Sequence, residues 1–146
     1  MEYKDIQILM FKKTSKELTM NYVNADNQNC SISDSQNPHP DLIKALDNLG
    51  PVLAGEFHVS DVMKEHYFCT GFSLSSKGES ESVVLSGKVN TKNEHIVGIS
   101  SGQLQLEEGG KGELNKKLEV VRKEAFEYFF NDKTAQGKLD FKEKVE

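Results

Sequence analysis

The chain has 146 residues, with 23 acidic side chains against 18 basic ones, a formal charge of −5, 36% hydrophobic and 28% charged residues. That length fits one domain with one modest core, and the acidic balance argues against the broad basic footprint of nucleic-acid-binding proteins. No apolar run approaches the roughly 20 residues of a membrane helix. Met1-Glu2-Tyr3-Lys4-Asp5 begins in mixed charge rather than in the basic and then apolar pattern of a secretory leader. The cytoplasm is therefore the expected compartment, with Cys30 and Cys69 as two reduced thiols.

Ile6, Ile8 and Met10 alternate with Gln7, Leu9 and Phe11, so the run 5–13 reads as a strand with apolar residues on both faces. Thr14-Ser15-Lys16 connects it to 17–23, where Leu18, Met20 and Tyr22 face one way and Thr19 and Asn21 the other. The two form a predicted hairpin. Asn24 to Asn27 is a turn, and a short third strand follows over 29–33. Pro38-His39-Pro40-Asp41 leads into a helix, because proline has no amide hydrogen to lose in the first turn and an acidic residue there suits the helix dipole. Leu42, Leu46, Leu49 and Leu53 recur at helical spacing, and Gly50-Pro51 interrupts them, which predicts a helix over about 40–55 kinked at that pair.

Phe57 to Lys64 fits neither period. Phe68, Thr70, Phe72 and Leu74 share a strand face within 67–74, and Val83, Leu85 and Val89 do so within 82–89. The polar stretch 75–82 between them reads as an exposed hairpin loop. Residues 95–100 and 102–106 supply one interrupted strand or two short ones, and 107–113 is a glycine-rich connector. Leu114, Leu118, Val121, Ala125 and Phe129 then form one helical stripe flanked by Phe126 and Phe130, predicting a helix over about 113–131. The expected fold is α+β, with an antiparallel sheet of about six strands and two helices in a single domain spanning 1–133. The polar tail 134–146 follows it. The two halves, each strands followed by a helix, look loosely alike without an aligned residue motif.

Candidate chemistry is sparse. Glu56, His58, Asp61, Glu65 and His66 are the densest set of potential metal ligands, but no spacing among them requires convergence, and a solvated polar connector is the favoured reading. No Gly-x-Ser-x-Gly elbow is present. Cys69 lies among Phe68, Thr70 and Phe72, a setting for an inert core thiol. Gly109-Gly110-Lys111-Gly112 lacks the phosphate-loop pattern. Tyr67, Phe68 and Phe72 would serve as a base-stacking platform if they lay on an open sheet; packing under a helix is the competing reading. Tyr128, Phe129 and Phe130 span more than half a helix circumference, so one of them leaves the main stripe, either toward the tail or toward a partner chain. Tyr67, Phe72, Tyr128, Phe129 and Phe130 are thus the candidate partner-binding residues.

Asn37-Pro38-His39-Pro40-Asp41-Leu42, followed by Ala45-Leu46 and Leu49, resembles a segment of small uncharacterised proteins of tailed bacteriophages and prophages. The outline is similar too: amino-terminal strands, a central block such as Val83-Val84-Leu85-Ser86-Gly87, and a carboxy-terminal helix with an aromatic end. The resemblance implies a phage or mobile-element origin and brings no catalytic residues. The functional expectation is a non-enzymatic accessory or inhibitor protein that binds a host or phage protein in the bacterial cytoplasm, in replication, recombination or counter-defence. It needs no cofactor, metal or membrane. A nucleotide or single-stranded nucleic-acid binder ranks second and a metal-dependent enzyme third. A homo-oligomer is compatible with all three.

Overall fold

The computed structural model describes residues 2–77, 80–91, 95–107 and 112–135. A 3₁₀ turn at Tyr3–Asp5 precedes a meander of β1 (Gln7–Lys13), β2 (Leu18–Val23) and β3 (Asn29–Asp34). Three helical pieces follow: α1 (Pro40–Asp47), α2 (Gly50–Gly55) and the single turn α3 (Asp61–Lys64). A second meander comprises β4 (Tyr67–Lys77), β5 (Ser80–Asn90), β6 (Ile96–Ser100) and the two-residue β7 (Leu104–Gln105), and α4 (Glu113–Phe130) completes the order. The strands form one sheet in the order β3-β2-β1-β4-β5-β6, with β7 beside the other half of β5, and every pairing is antiparallel. The α+β class, the antiparallel sheet and the two principal helices, one broken at Gly50-Pro51, stand as the sequence pattern predicts.

Local chemistry explains the turns. Thr14 Oγ1 accepts from the Lys16 and Glu17 amides, and Asn24 Oδ1 accepts from the Asp26 and Gln28 amides. Such side chains substitute for backbone partners in tight turns. At the start of α1, His39 Nδ1 accepts from the Asp41 amide at 3.1 Å, and Pro40 occupies the first turn. The Pro-His-Pro-Asp segment thus builds a helix N-terminus. Gly50 opens α2 because a Cβ there would lie 2.6 Å from the Tyr67 carbonyl oxygen, and Gly87 is likewise required, since a Cβ would collide with the Phe68 carbonyl oxygen and crowd Leu53 Cδ2 at 2.7 Å. Small residues therefore let α2 rest directly on β4 and β5.

One face of the sheet is covered and holds the core. Phe11 pairs with both Met20 and Phe72, Met20 with Ile32, and Phe72 with Leu85, so one row of side chains crosses five strands beneath the helices. The opposite face carries Thr19, Asn21, Ser31, Ser33, Ser73 and Ser86 and lies open. The helices cross over. α1 and α2, which follow the first meander, pack on β4 and β5 of the second. α4, which follows the second, packs on β1, and its Phe130 ring meets Tyr22 of β2 edge-on at 5.6 Å. α1 and α4 lie side by side between these contacts.

Several boundaries differ from the sequence pattern. The stretch 75–82 is largely strand, with β4 running through Lys77 and β5 starting at Ser80, because Ser75 and Ser82 bond each other through their hydroxyls at 2.9 Å. The run 5–13 is interior to the sheet but is covered on one side only. Thr134 belongs to the domain rather than to a tail: it is buried and bridges Pro38, and the Ala135 amide bonds the Asn37 carbonyl. Lys133 supports that return by bonding Asp41 Oδ2 and Glu124 Oε2, each at 2.9 Å. The remainder of the expected tail and most of the 107–113 connector lie outside the described residues.

Because α4 supplies the cover for β1 and β2, a fragment of residues 2–66 is expected to lack cooperative unfolding and dispersed amide resonances; a cooperative thermal transition for that fragment would contradict the crossed packing. His39→Ala removes the helix cap and is expected to cost about 1 kcal/mol in chemical denaturation, whereas His39→Asn retains an acceptor and should stay close to the parent chain.

Candidate functional site

The predicted partner-binding residues separate into two groups. Phe72 and Tyr128 are enclosed in the core, at 2% and 1% exposure. Tyr128 leaves the α4 stripe as expected, but it turns inward and donates its hydroxyl to the Gln36 carbonyl. Its ring packs edge-on against Phe129 at 4.8 Å. Phe129 and Phe130 are half-buried, the latter between Tyr22 and Phe126. These three aromatics are thus mainly occupied by other parts of the same chain. Tyr67 is half-buried near the opposite corner of the sheet.

That corner gathers three of the large apolar side chains exposed among the described residues: Phe57 (42%), Ile96 (65%) and Val97 (45%). Tyr67, Val89 and Val97 lie opposite one another across β4, β5 and β6, on the helix-covered side of the sheet. The Phe57 ring rests on Tyr67 with centroids 6.0 Å apart. His58, with φ of 54°, turns the chain sharply just after Phe57. A groove of about 370 Å³ beside this row is lined by Asp47, Pro51, Lys64, Glu65, Tyr67 and Phe68.

The backbone of β6 adds directional chemistry. The Thr91 amide bonds the His95 carbonyl at 2.9 Å, and the Ser101 amide bonds the Leu85 carbonyl at 2.8 Å. Bonded and non-bonded pairs alternate along an antiparallel ladder. The N–H and C=O groups of Val97 and Ile99 therefore face β5, and those of Ile96, Gly98 and Ser100 face away from it. No described strand lies on that outer side. Ser101 ends the strand: its Oγ accepts from the Leu85 amide at 2.9 Å and donates to the Gly102 carbonyl at 2.7 Å, which turns the chain before β7. Strand edges of this kind usually carry a lysine, a proline or a bulge that discourages pairing. From His95 to Leu106 there is no charged residue and no proline. Sequence reasoning passed over Phe57, Ile96 and Val97; that uncharged, partly β-branched run was the available signal.

The other candidates are dispersed. Glu56, His58, Glu65 and His66 are exposed, and no group of three or more metal-ligating side chains converges among the described residues. No helix among the described residues is long and apolar enough to cross a membrane. On the open face of the sheet, a shallow concavity of about 490 Å³ is lined by Leu9, Met10, Asn21, Tyr22, Ser31 and Ser73 among others. Beside it, Cys30 directs its thiol to the Gln28 carbonyl at 3.6 Å. Cys69 is buried, with its thiol 3.4 Å from the Gly71 carbonyl. Burial, aided by the Asp47 carboxylate, pushes that thiol up to about 11. No family model, curated protein or solved structure matches the chain.

The Cys69 environment has a pH signature. The folded chain keeps the thiol neutral up to about 11, whereas an ordinary thiol ionises at 9.0. Its contribution to stability is complete below pH 9 and drains away as pH rises toward 11, because the unfolded state gives up its proton first. Cys69→Ala is expected to flatten the decline in denaturation midpoint over that window. At pH 8 a thiol reagent should label Cys30 in the native protein and reach Cys69 only after unfolding; equal native rates for both would contradict the buried setting.

Proposed function

We propose that this chain is a non-enzymatic protein-binding module whose contact surface is the outer edge of β6 with the Phe57–Tyr67–Val97 corner beside it. The observation that carries this reading is a strand edge with three residues' worth of outward backbone donors and acceptors, flanked by exposed apolar side chains and free of protecting charge. Backbone groups at such an edge supply bonding to an added strand, and alternate side chains supply selectivity. Patches that are both apolar and contiguous mark interaction sites more often than scattered surface leucines do.

The nucleic-acid reading has less support, since Phe72, one of the three aromatics of its platform, lies under the helices, while Tyr67 and Phe68 are half-buried. A net charge of −5 offers little general attraction to a phosphate backbone.

The test is affinity capture from bacterial extract with the parent chain and with the double variant Ile96→Lys, Val97→Lys. Both positions are exposed, so the fold should tolerate the change, as checked by circular dichroism and thermal midpoint. A protein recovered in stoichiometric amount by the parent, insensitive to nuclease, and at least about tenfold depleted with the variant is the expected result; tenfold corresponds to about 1.4 kcal/mol. Equal recovery by both chains would remove this edge as the contact surface.

A further inference from the structure

We infer that the strand added at this edge is β6 of a second copy, related by a two-fold axis normal to the sheet and passing beside Gly98. This rests on the reading of the β6 edge as a protein-binding surface and names its occupant. Three observations point to self-pairing. First, an acidic chain repels its own copies over most of its surface, yet the segment His95–Leu106 carries no charge, so two such edges meet without like-charge repulsion. Second, the side-chain pattern is complementary to itself in one register. If Gly98 lies opposite Gly98 of the second copy, the outward backbone groups of Ile96, Gly98 and Ser100 are matched antiparallel. Val97 then falls opposite the second copy's Ile99 on the helix-covered side, twice, and each Ile96 falls opposite a Ser100. The exposed Val97 thereby gains an apolar neighbour. A Cβ at Gly98 would meet nothing within 4 Å, so the crossing point is unobstructed.

Third, the geometry closes. An antiparallel pair about a dyad uses each β6 edge once and leaves no further β6 edge to propagate, which removes the aggregation hazard of an unprotected edge. The axis keeps both helical layers on one side of a continuous sheet, with the two Phe57 corners flanking the seam. The strand is five residues long. The interface is therefore at the small end of protein contacts, below roughly 1,200 Å² in total, the range of reversible rather than permanent association.

The experiment is sedimentation velocity on the full chain over a wide concentration series, with two variants. Gly98→Pro deletes an outward N–H without touching the bonds to β5, and edge strands accept proline at such positions. Val97→Lys places two charges at the seam and provides a second test should the proline disturb the fold. The expected result is a parent chain whose weight-average mass rises with concentration toward twice the monomer value, with both variants monomeric at every concentration and unchanged in circular dichroism. A parent chain that stays monomeric throughout overturns the second copy as occupant. Edge-dependent capture of another protein by that monomer would leave the protein-binding reading standing. A dimer that survives both variants overturns the β6 seam.

Discussion

Phe11 faces Phe72 across the seam between β1 and β4, and the architecture depends on that pairing. It joins the two meanders into one sheet and fixes their antiparallel sense. It also places α1 and α4 side by side over the junction, so that each half's helix can reach the strands of the other. The exchange of cover explains why both helices need their apolar stripes and why neither meander has an independent core. The same core takes in Met20 and Leu18 from β2, Leu42 and Leu46 from α1, Leu53 from α2, Leu85 from β5, and Leu118 and Val121 from α4.

The order β3-β2-β1-β4-β5-β6, with helical segments after each meander, is the arrangement a two-fold axis through the seam would generate. The halves diverge where function is proposed. In the first half, α4 brings Phe130 over Tyr22, and the return of Lys133–Ala135 ties down the loop after β3. At the corresponding corner of the second half, α2 ends at Gly55 and the chain turns away through Phe57 and His58, leaving Val97 and Ile96 partly in solvent. One corner is thus closed by aromatic packing, and the other presents its edge.

Much of this fold was legible in the residues. Period-two alternation over 17–23 and the leucine stripe over 42–53 required no tertiary information, and the long α4 stripe was the clearest element. The pattern failed where context decides. Serines 75 and 82 look like loop residues alone but become strand once their hydroxyls meet across the hairpin. Tyr128 leaves the α4 stripe toward neither the tail nor a partner chain, because the loop at Gln36, far away in sequence, supplies its hydroxyl with a carbonyl. The candidate surface was the least legible part. Aromatic residues drew attention to Phe72 and Tyr128, which the helices bury, while exposure at Ile96 and Val97 follows from β6 being last in the sheet order. Strand order arises from long-range pairing and leaves little trace in local composition. The Pro-His-Pro-Asp segment shows the converse: a conspicuous motif whose geometry is accounted for by starting a helix.

The crossed cover also bears on how the chain acquires its structure during synthesis. A protein emerges from the ribosome amino terminus first. The first meander is therefore exposed well before α4, its roof, has been made. Phe11, Met20 and Ile32 must wait, solvent-exposed on one face, through translation of the whole second meander. α1 and α2 face the same delay, since their seats on β4 and β5 do not yet exist. Such a chain gains little by folding piecemeal: its core is expected to close late, when α4 arrives and both halves are roofed together.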